Sequence, residues 1–398
     1  MLLTARWILP LAGPPIENGF VALEAGLIKK IGCDKNLQST RDLGNVILLP
    51  GLVNAHAHLE FSKIPPPPLL QRGVKGRFTE WARGMGNPPR YPFYKGGSHG
   101  IPPFEKGGLG GIFDRLLRGG TTTVADHAHP ESATVEVPFR RIPFWEVLGS
   151  SEERAKTSLD LALIRQKQEG GHVSPHSLYA VHRGILDMCA WHAPNALKSI
   201  HILESSDEDQ YLRDRSGPLW DYVRERDGSP ELSPASPINW LAEHEFLDTN
   251  LLLVHGNYLN DGEIHHLQGT GASVIHCPGS HQFFGHRKFP LESLREKNIR
   301  VALGTDSLAS NGDLSMLREM RLLKESYPAL KAEEILEMGT LEGALALGMA
   351  GEIGSLEVGK RADMVAVPIA DEKLGPFENI LRAQEICFSM VGGNPLLR

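Results

Sequence analysis

The chain holds 17 histidines, and the first informative pair is His56-Ala57-His58. On an extended strand residues i and i+2 point to the same side, so both imidazoles leave the backbone in one direction. Three more polar residues sit in or at the end of apolar runs: His201 in Ser199–Leu203, His255 after Leu251-Leu252-Leu253-Val254, and Asp306 after Val301-Ala302-Leu303-Gly304-Thr305. An unpaired imidazole or carboxylate buried there costs roughly several kcal/mol, so each needs a partner. One such residue reads as a satisfied core group. His56, His58, His201, His255 and Asp306 together, from four strand ends, read as ligands to a shared ion. Imidazole and carboxylate suit Zn²⁺, with Fe²⁺ or Mn²⁺ as alternatives. A single divalent cation with an open position makes a bound water acidic near neutral pH, which is hydrolytic chemistry.

Elements of regular length must carry these residues to one place. Short apolar runs recur at Val46–Leu49, Thr121–Ala125, Ile142–Val147, His172–Ser174, Ser199–Leu203, Leu251–Val254, Ser273–Ile275 and Arg300–Leu303. Helical periodicity fills several intervals, as in Glu152–Gln168 and Asp313–Ser326. Eight strands alternating with helices predict an α/β fold of the (β/α)₈ TIM-barrel kind, whose sites lie at the carboxyl ends of the strands. No GxGxxG follows the first strand, which argues against a dinucleotide-binding doubly wound sheet. Both chain ends instead read as β-structure, with Phe20–Glu24 and Leu27–Ile31 at one end and Asp363–Val367 at the other. The expected organisation is a small β-sandwich from residues 1–48 plus 351–398, around a barrel of residues 49–350. Residues 64–112 interrupt it with 9 Pro and 11 Gly. An 11-residue repeat there, Pro92–Ile101 against Pro103–Ile112, marks residues 87–111 as a flexible insertion.

Composition excludes several classes. The net charge is −7 with no basic block, which argues against a nucleic-acid binder. No apolar run approaches the roughly 20 residues of a membrane helix, and the first residues do not read as a signal peptide. Four scattered cysteines suggest neither a disulfide framework nor a cysteine-based metal site, so a reducing cytoplasm is expected. The Pro-Cys-x-x-Cys signature of nucleic-acid base deaminases is absent.

Pro50-Gly51-Leu52-Val53-Asn54-Ala55-His56-Ala57-His58, the His201-x-x-Glu204 pair, His255, and Gly304-Thr305-Asp306-Ser307 with Ala309-Ser310-Asn311 resemble the amidohydrolase superfamily. Gly354-Ser355-Leu356-Glu357-Val358-Gly359-Lys360-Arg361-Ala362-Asp363 resembles its C-terminal signature. The likeness spans the chain apart from the proline- and glycine-rich stretch. Within the superfamily the pattern is similar to the mononuclear aromatic-amine deaminases and chlorohydrolases. These include adenosine, S-adenosylhomocysteine, guanine and aminodeoxyfutalosine deaminases and triazine hydrolases. The resemblance implies that His56, His58, His201 and Asp306 ligate one metal. It implies that Glu204 shuttles protons, that His255 and Asp306 orient the attacking water, and that His176 contacts substrate. The activity implied is hydrolytic deamination of an adenine-type nucleoside with release of ammonia. A chlorohydrolase acting on another ring and a catalytically inactive scaffold are the rivals. A homodimer is an expectation that the resemblance alone carries.

Leu59-Glu60-Phe61-Ser62, and more loosely Phe78-Thr79-Glu80-Trp81, resemble the aminodeoxyfutalosine deaminase branch of menaquinone biosynthesis. Trp81 has two readings, packing on its helix or stacking on a purine. Glu146 also has two, a ribose hydroxyl contact or a polar network inside the barrel. His276 and His281 follow the seventh run, where many relatives carry Asn in place of His281. The second His-x-His, His127-Ala128-His129, is surplus to a metal site that is already complete.

Overall fold

Pro50-Gly51 is the hinge between two architectures. Proline lacks a ladder donor, and a Cβ on Gly51 would lie 2.0 Å from Thr122 Oγ1. The chain therefore turns there from one sheet into another. A computed structural model describes residues 1–34, 40–60, 78–84, 108–132, 136–192, 196–227 and 236–397. Most of the 87–111 stretch lies outside the described residues. Its end, from Gly108, opens the helix Gly108–Arg118.

Before the hinge run β1 (Leu2–Ile8), β2 (Ile16–Glu24), β3 (Leu27–Cys33), β4 (Arg41–Asp42) and β5 (Val46–Pro50). After it come β6 (Leu52–Ala57), β7 (Thr121–Ala128), β8 (Arg140–Val147) and β9 (His172–Pro175). There follow β10 (Lys198–Ile202), β11 (Leu251–His255), β12 (Ser273–His276) and β13 (Arg300–Leu303), and then β14 (Met364–Pro368), β15 (Phe388–Val391) and β16 (Asn394–Leu397). Among the described residues these form three sheets. One has eight strands in the order β16-β15-β14-β5-β1-β2-β3, with β4 on β1. The other two are four-stranded and parallel, β6-β7-β8-β9 and β10-β11-β12-β13.

The eight-stranded sheet joins both chain ends, since β14 runs antiparallel to β5 from Met364 opposite Pro50 to Pro368 opposite Val46. It has its own apolar cluster, including Leu3, Ile8, Val21, Leu48, Met364 and Phe388. The apolar run Val46–Leu49 therefore belongs to this sheet and not to the parallel set. The first parallel strand is β6. A run of five buried residues looks the same whichever sheet receives it; its pairing with β1 and β14 decides.

Parallel strands buried on both faces read as continuous apolar runs, and β10 and β11 are buried at every position. Helices alternate with them. Glu152–Glu169 forms as its spacing predicts. The predicted Asp313–Ser326 helix starts later, at Met316, because the Ser315 side chain accepts from the Arg318 N–H and caps it. The two parallel sheets touch at two seams, through bridges between Ala57 and Asp306 and between Ser177 and His201. Asn54 fastens the first seam: its Nδ2 donates to Thr305 Oγ1 at 2.8 Å, and its Oδ1 accepts from the Thr305 N–H at 3.1 Å. The Thr305 and Asp306 N–H groups both donate to the His56 carbonyl.

Gly304 makes that seam close. A Cβ there would meet the His56 Cβ and carbonyl oxygen at 2.8 Å, closer than real contacts allow. Gly304→Ala should push β13 from β6 and cost about 1–3 kcal/mol. Urea unfolding would register this, and a wild-type midpoint would contradict it.

Candidate metal and catalytic site

The seam between β6 and β13 brings His56 and His58 against Asp306, and the neighbouring strand ends supply the rest. His58 lies just past β6, His201 lies in β10, His255 ends β11, and Asp306 follows β13. All five side chains are buried. The rings of His56, His58 and His201 lie with centroids 4.8–5.2 Å apart. His56 Nε2 is 3.7 Å and His58 Nε2 4.0 Å from Asp306 Oδ1.

The outer ring nitrogens fix the inner ones. His58 Nδ1 is 3.0 Å from the His127 carbonyl and His201 Nδ1 is 2.9 Å from the His176 carbonyl. A carbonyl only accepts, so each Nδ1 carries the proton and each Nε2 a lone pair. Those two Nε2 atoms stand 3.2 Å apart. Two lone pairs at that distance repel unless a cation lies between them. Tetrahedral Zn–N bonds of about 2.0–2.1 Å put two donors about 3.3 Å apart, so the spacing fits. His56 Nε2 is also buried and has no hydrogen-bond partner among the described residues. Burial lowers the pKa of His56, His201 and His255, which keeps the imidazoles neutral and able to ligate.

Asp306 is the anionic donor. Its Oδ2 accepts from Ser280 Oγ at 2.8 Å and Ser310 Oγ at 2.7 Å, so Oδ1 faces the imidazoles. Burial opposes its charge, and the facing His56 and His255 outweigh that and hold its pKa below the ordinary value. Neither serine stands out in the sequence as a site residue, although Ser310 lies inside the Ala309-Ser310-Asn311 motif.

Glu204 lies two residues beyond β10. Its Oε1 is 3.6 Å from His255 Nε2. Its backbone is pinned, with the N–H donating to Glu208 Oε2 at 2.8 Å and the carbonyl accepting from Asn257 Nδ2 at 2.9 Å. Burial first, then the charges of Asp306 and Glu208, raise its pKa well above the carboxylate range. Its carboxyl therefore holds a proton more readily than an exposed glutamate does, as a group that stores and passes on a proton requires. Glu208 and Asn257 carried no sequence signal as isolated letters.

His176 and Glu146 form a pair, Nδ1 to Oε1 at 2.8 Å. Burial would raise the Glu146 pKa, but His176 and His58 bring it down to about 2. Burial likewise works against charge on His176; Glu146 outweighs it, and the His176 pKa rises. Glu146 is fully buried, whereas the His176 side chain is 23% exposed. The more open side of the pair thus belongs to His176, with Glu146 buried behind it.

Trp81 lies on the helix Phe78–Gly84. Its Nε1 donates to the Ala309 carbonyl at 2.9 Å, and its ring packs edge-on to Phe284, with centroids 5.5 Å apart. The same helix is tied down by Thr79, whose N–H and hydroxyl both donate to Asp207 Oδ2. It therefore spans from the Glu204 loop to the Asp306 loop. Glu60 is buried and accepts from the His129 N–H and the Ser132 hydroxyl; burial pushes its pKa up to about 8. Phe61 and Ser62 lie outside the described residues. His276 is buried and stacks on Phe289, with centroids 3.9 Å apart, and His281 Nε2 donates to the Arg287 carbonyl.

Residues 47–396 match the model of the amidohydrolase family. Over 397 aligned positions the chain is 28% identical to 5-methylthioadenosine/S-adenosylhomocysteine deaminase of Pyrococcus abyssi, covering 92% of this chain and 83% of that one. It is 28% identical to aminodeoxyfutalosine deaminase of Nitratiruptor sp., covering 82% and 80%. The crystal structure of Helicobacter pylori aminofutalosine deaminase in complex with methylthio-coformycin superposes with a TM-score of 0.82 at 23% identity, over the full length of both chains.

A ligand that binds only the folded chain raises its melting temperature. Adding Zn²⁺ to metal-stripped protein should do so, and His56→Ala should abolish the rise. A thermal melt indifferent to Zn²⁺ would count against the cluster as a cation site.

Proposed function

Because the chain belongs to the amidohydrolase family, we propose that it is a metal-dependent hydrolase that deaminates an adenine-type nucleoside. The observation that carries this is the pair of facing lone pairs on His58 and His201, beside a buried carboxylate and a proton-holding Glu204. The cation held by His56, His58, His201 and Asp306, with zinc the best match to three imidazoles and one carboxylate, would supply the Lewis acidity that makes a water lose its proton near neutral pH.

The chain's own residues do the remaining work. Glu204 takes the proton from the attacking water and delivers it to a ring nitrogen of the substrate, which leaves the adjacent ring carbon electron-poor. His255, 3.6 Å from the Glu204 carboxylate, and Asp306 hold the water in line. The C–O bond forms, the remaining proton of the same water passes to the amine, and the C–N bond breaks to release ammonia. His176, braced by Glu146, presents its ring to the substrate from the partly open side. Trp81, which packs with Phe78 and Phe284, is the candidate to stack on the purine.

Within the nucleoside class the reading is aminodeoxyfutalosine, adenosine or S-adenosylhomocysteine. The names of the relatives from Pyrococcus and Nitratiruptor support that range. Aminodeoxyfutalosine would place the chain in menaquinone biosynthesis. The family reading also takes the two parallel sheets as halves of one closed (β/α)₈ barrel and the eight-stranded sheet as a sandwich closing on its own apolar cluster. No helix among the described residues is long and apolar enough to cross a membrane, and the reading places the enzyme in the cytoplasm, acting on a small molecule as a homodimer.

Metal-replete protein should release ammonia from at least one nucleoside in a panel of those three. Release from none of them, with dechlorination of a triazine, would move the activity to the hydrolase branch. Glu204→Gln should keep its metal and lose at least about a hundredfold in turnover. Ammonia assays with elemental analysis would check this, and a near-normal rate would remove Glu204 from the shuttle role.

A further inference from the structure

His127 lies in β7 beside β6, fully buried and stacked flat on Phe144 with centroids 4.7 Å apart. Its two ring nitrogens are both committed. Nδ1 is 3.0 Å from His56 Nδ1, and Nε2 is 2.7 Å from Ser199 Oγ. Its carbonyl oxygen is the acceptor for His58 Nδ1 at 3.0 Å. One residue therefore touches the outer nitrogen of both members of the His-x-His pair, by its side chain on one and its backbone on the other.

We propose that His127 is a positioning residue that fixes the tautomer and ring orientation of His56, through a directed chain from His56 Nδ1–H to His127 Nδ1 and from His127 Nε2–H to Ser199 Oγ. This rests on the reading that His56 Nε2 ligates a cation. A neutral imidazole that ligates through Nε2 keeps its proton on Nδ1. His127 Nδ1 must then accept, so the His127 proton sits on Nε2 and is given to Ser199. The usual partner behind a ligand histidine is a carboxylate or a carbonyl. His58 and His201 follow that habit, each with a backbone carbonyl. His56 instead leans on a neutral ring, which orients it and draws little charge from it. The first histidine of the second His-x-His thus supports the first pair.

Zinc titration against a chelator of known affinity tests this. His127→Leu, similar in bulk but unable to accept, should raise the zinc dissociation constant at least tenfold. His127→Asn, whose Oδ1 can stand in for Nδ1, should recover most of that loss. Wild-type zinc affinity in the Leu variant overturns the positioning role and leaves the four-donor site standing; a wild-type protein that takes up no zinc overturns both. The wild-type holoenzyme offers a test that needs no core substitution. Two-bond ¹H–¹⁵N spectra should show His56 protonated on Nδ1 and His127 on Nε2, and the opposite tautomer at His127 overturns the inference.

Discussion

Two imidazole lone pairs held 3.2 Å apart are the constraint on which the site depends. The backbone carbonyls of His127 and His176 force it, by taking the proton-bearing nitrogen of His58 and His201 respectively. Neither ring can relieve the repulsion by changing tautomer without setting a lone pair against a carbonyl oxygen. The site is therefore built for a cation before one arrives. Its charge balance follows: neutral imidazoles, one ionised carboxylate braced by two serines, and one carboxyl whose burial makes it ready to carry a proton.

The backbone is bent to the same end. Leu203, His255 and Asp306 have φ values of 49°, 72° and 58°. All three lie at or just past the ends of strands that feed the site. Histidine and aspartate enter the left-handed region more readily than most residues, but a leucine there is a true outlier. Such strain costs on the order of 1–3 kcal/mol per residue and persists where surrounding contacts over-determine it. Here those contacts are identifiable. Glu208 grips the Glu204 amide next to Leu203, Gly256 N–H donates to Ile202, and Asp306 N–H donates to the His56 carbonyl.

Much of this was legible from the residues. Polar side chains that terminate apolar runs break the one-dimensional pattern, so His56, His201, His255 and Asp306 stand out without any coordinates. Strand membership was less legible, because Val46–Pro50 is as apolar as a parallel strand and only its hydrogen-bond partner separates the two. Lateral relations were not legible at all. His127 stands beside His56 because β6 and β7 pair with a register shift between Asn54 and Ala57, and no spacing along the chain encodes that offset. The Glu146–His176 pair depends in the same way on the β8–β9 register.

The sheet that joins the chain ends sets an order of events during synthesis. On the ribosome, β1, β2, β3 and β5 emerge early and can pair among themselves. β5 then waits with one bare edge until β14 has been translated, and that edge is an invitation to stray partners. Leu48 and Leu49 on it are fully buried in the finished fold. The nascent amino-terminal segment thus holds an unpaired strand edge until the carboxyl-terminal strands arrive, and a truncation that removes β14 would leave that edge open.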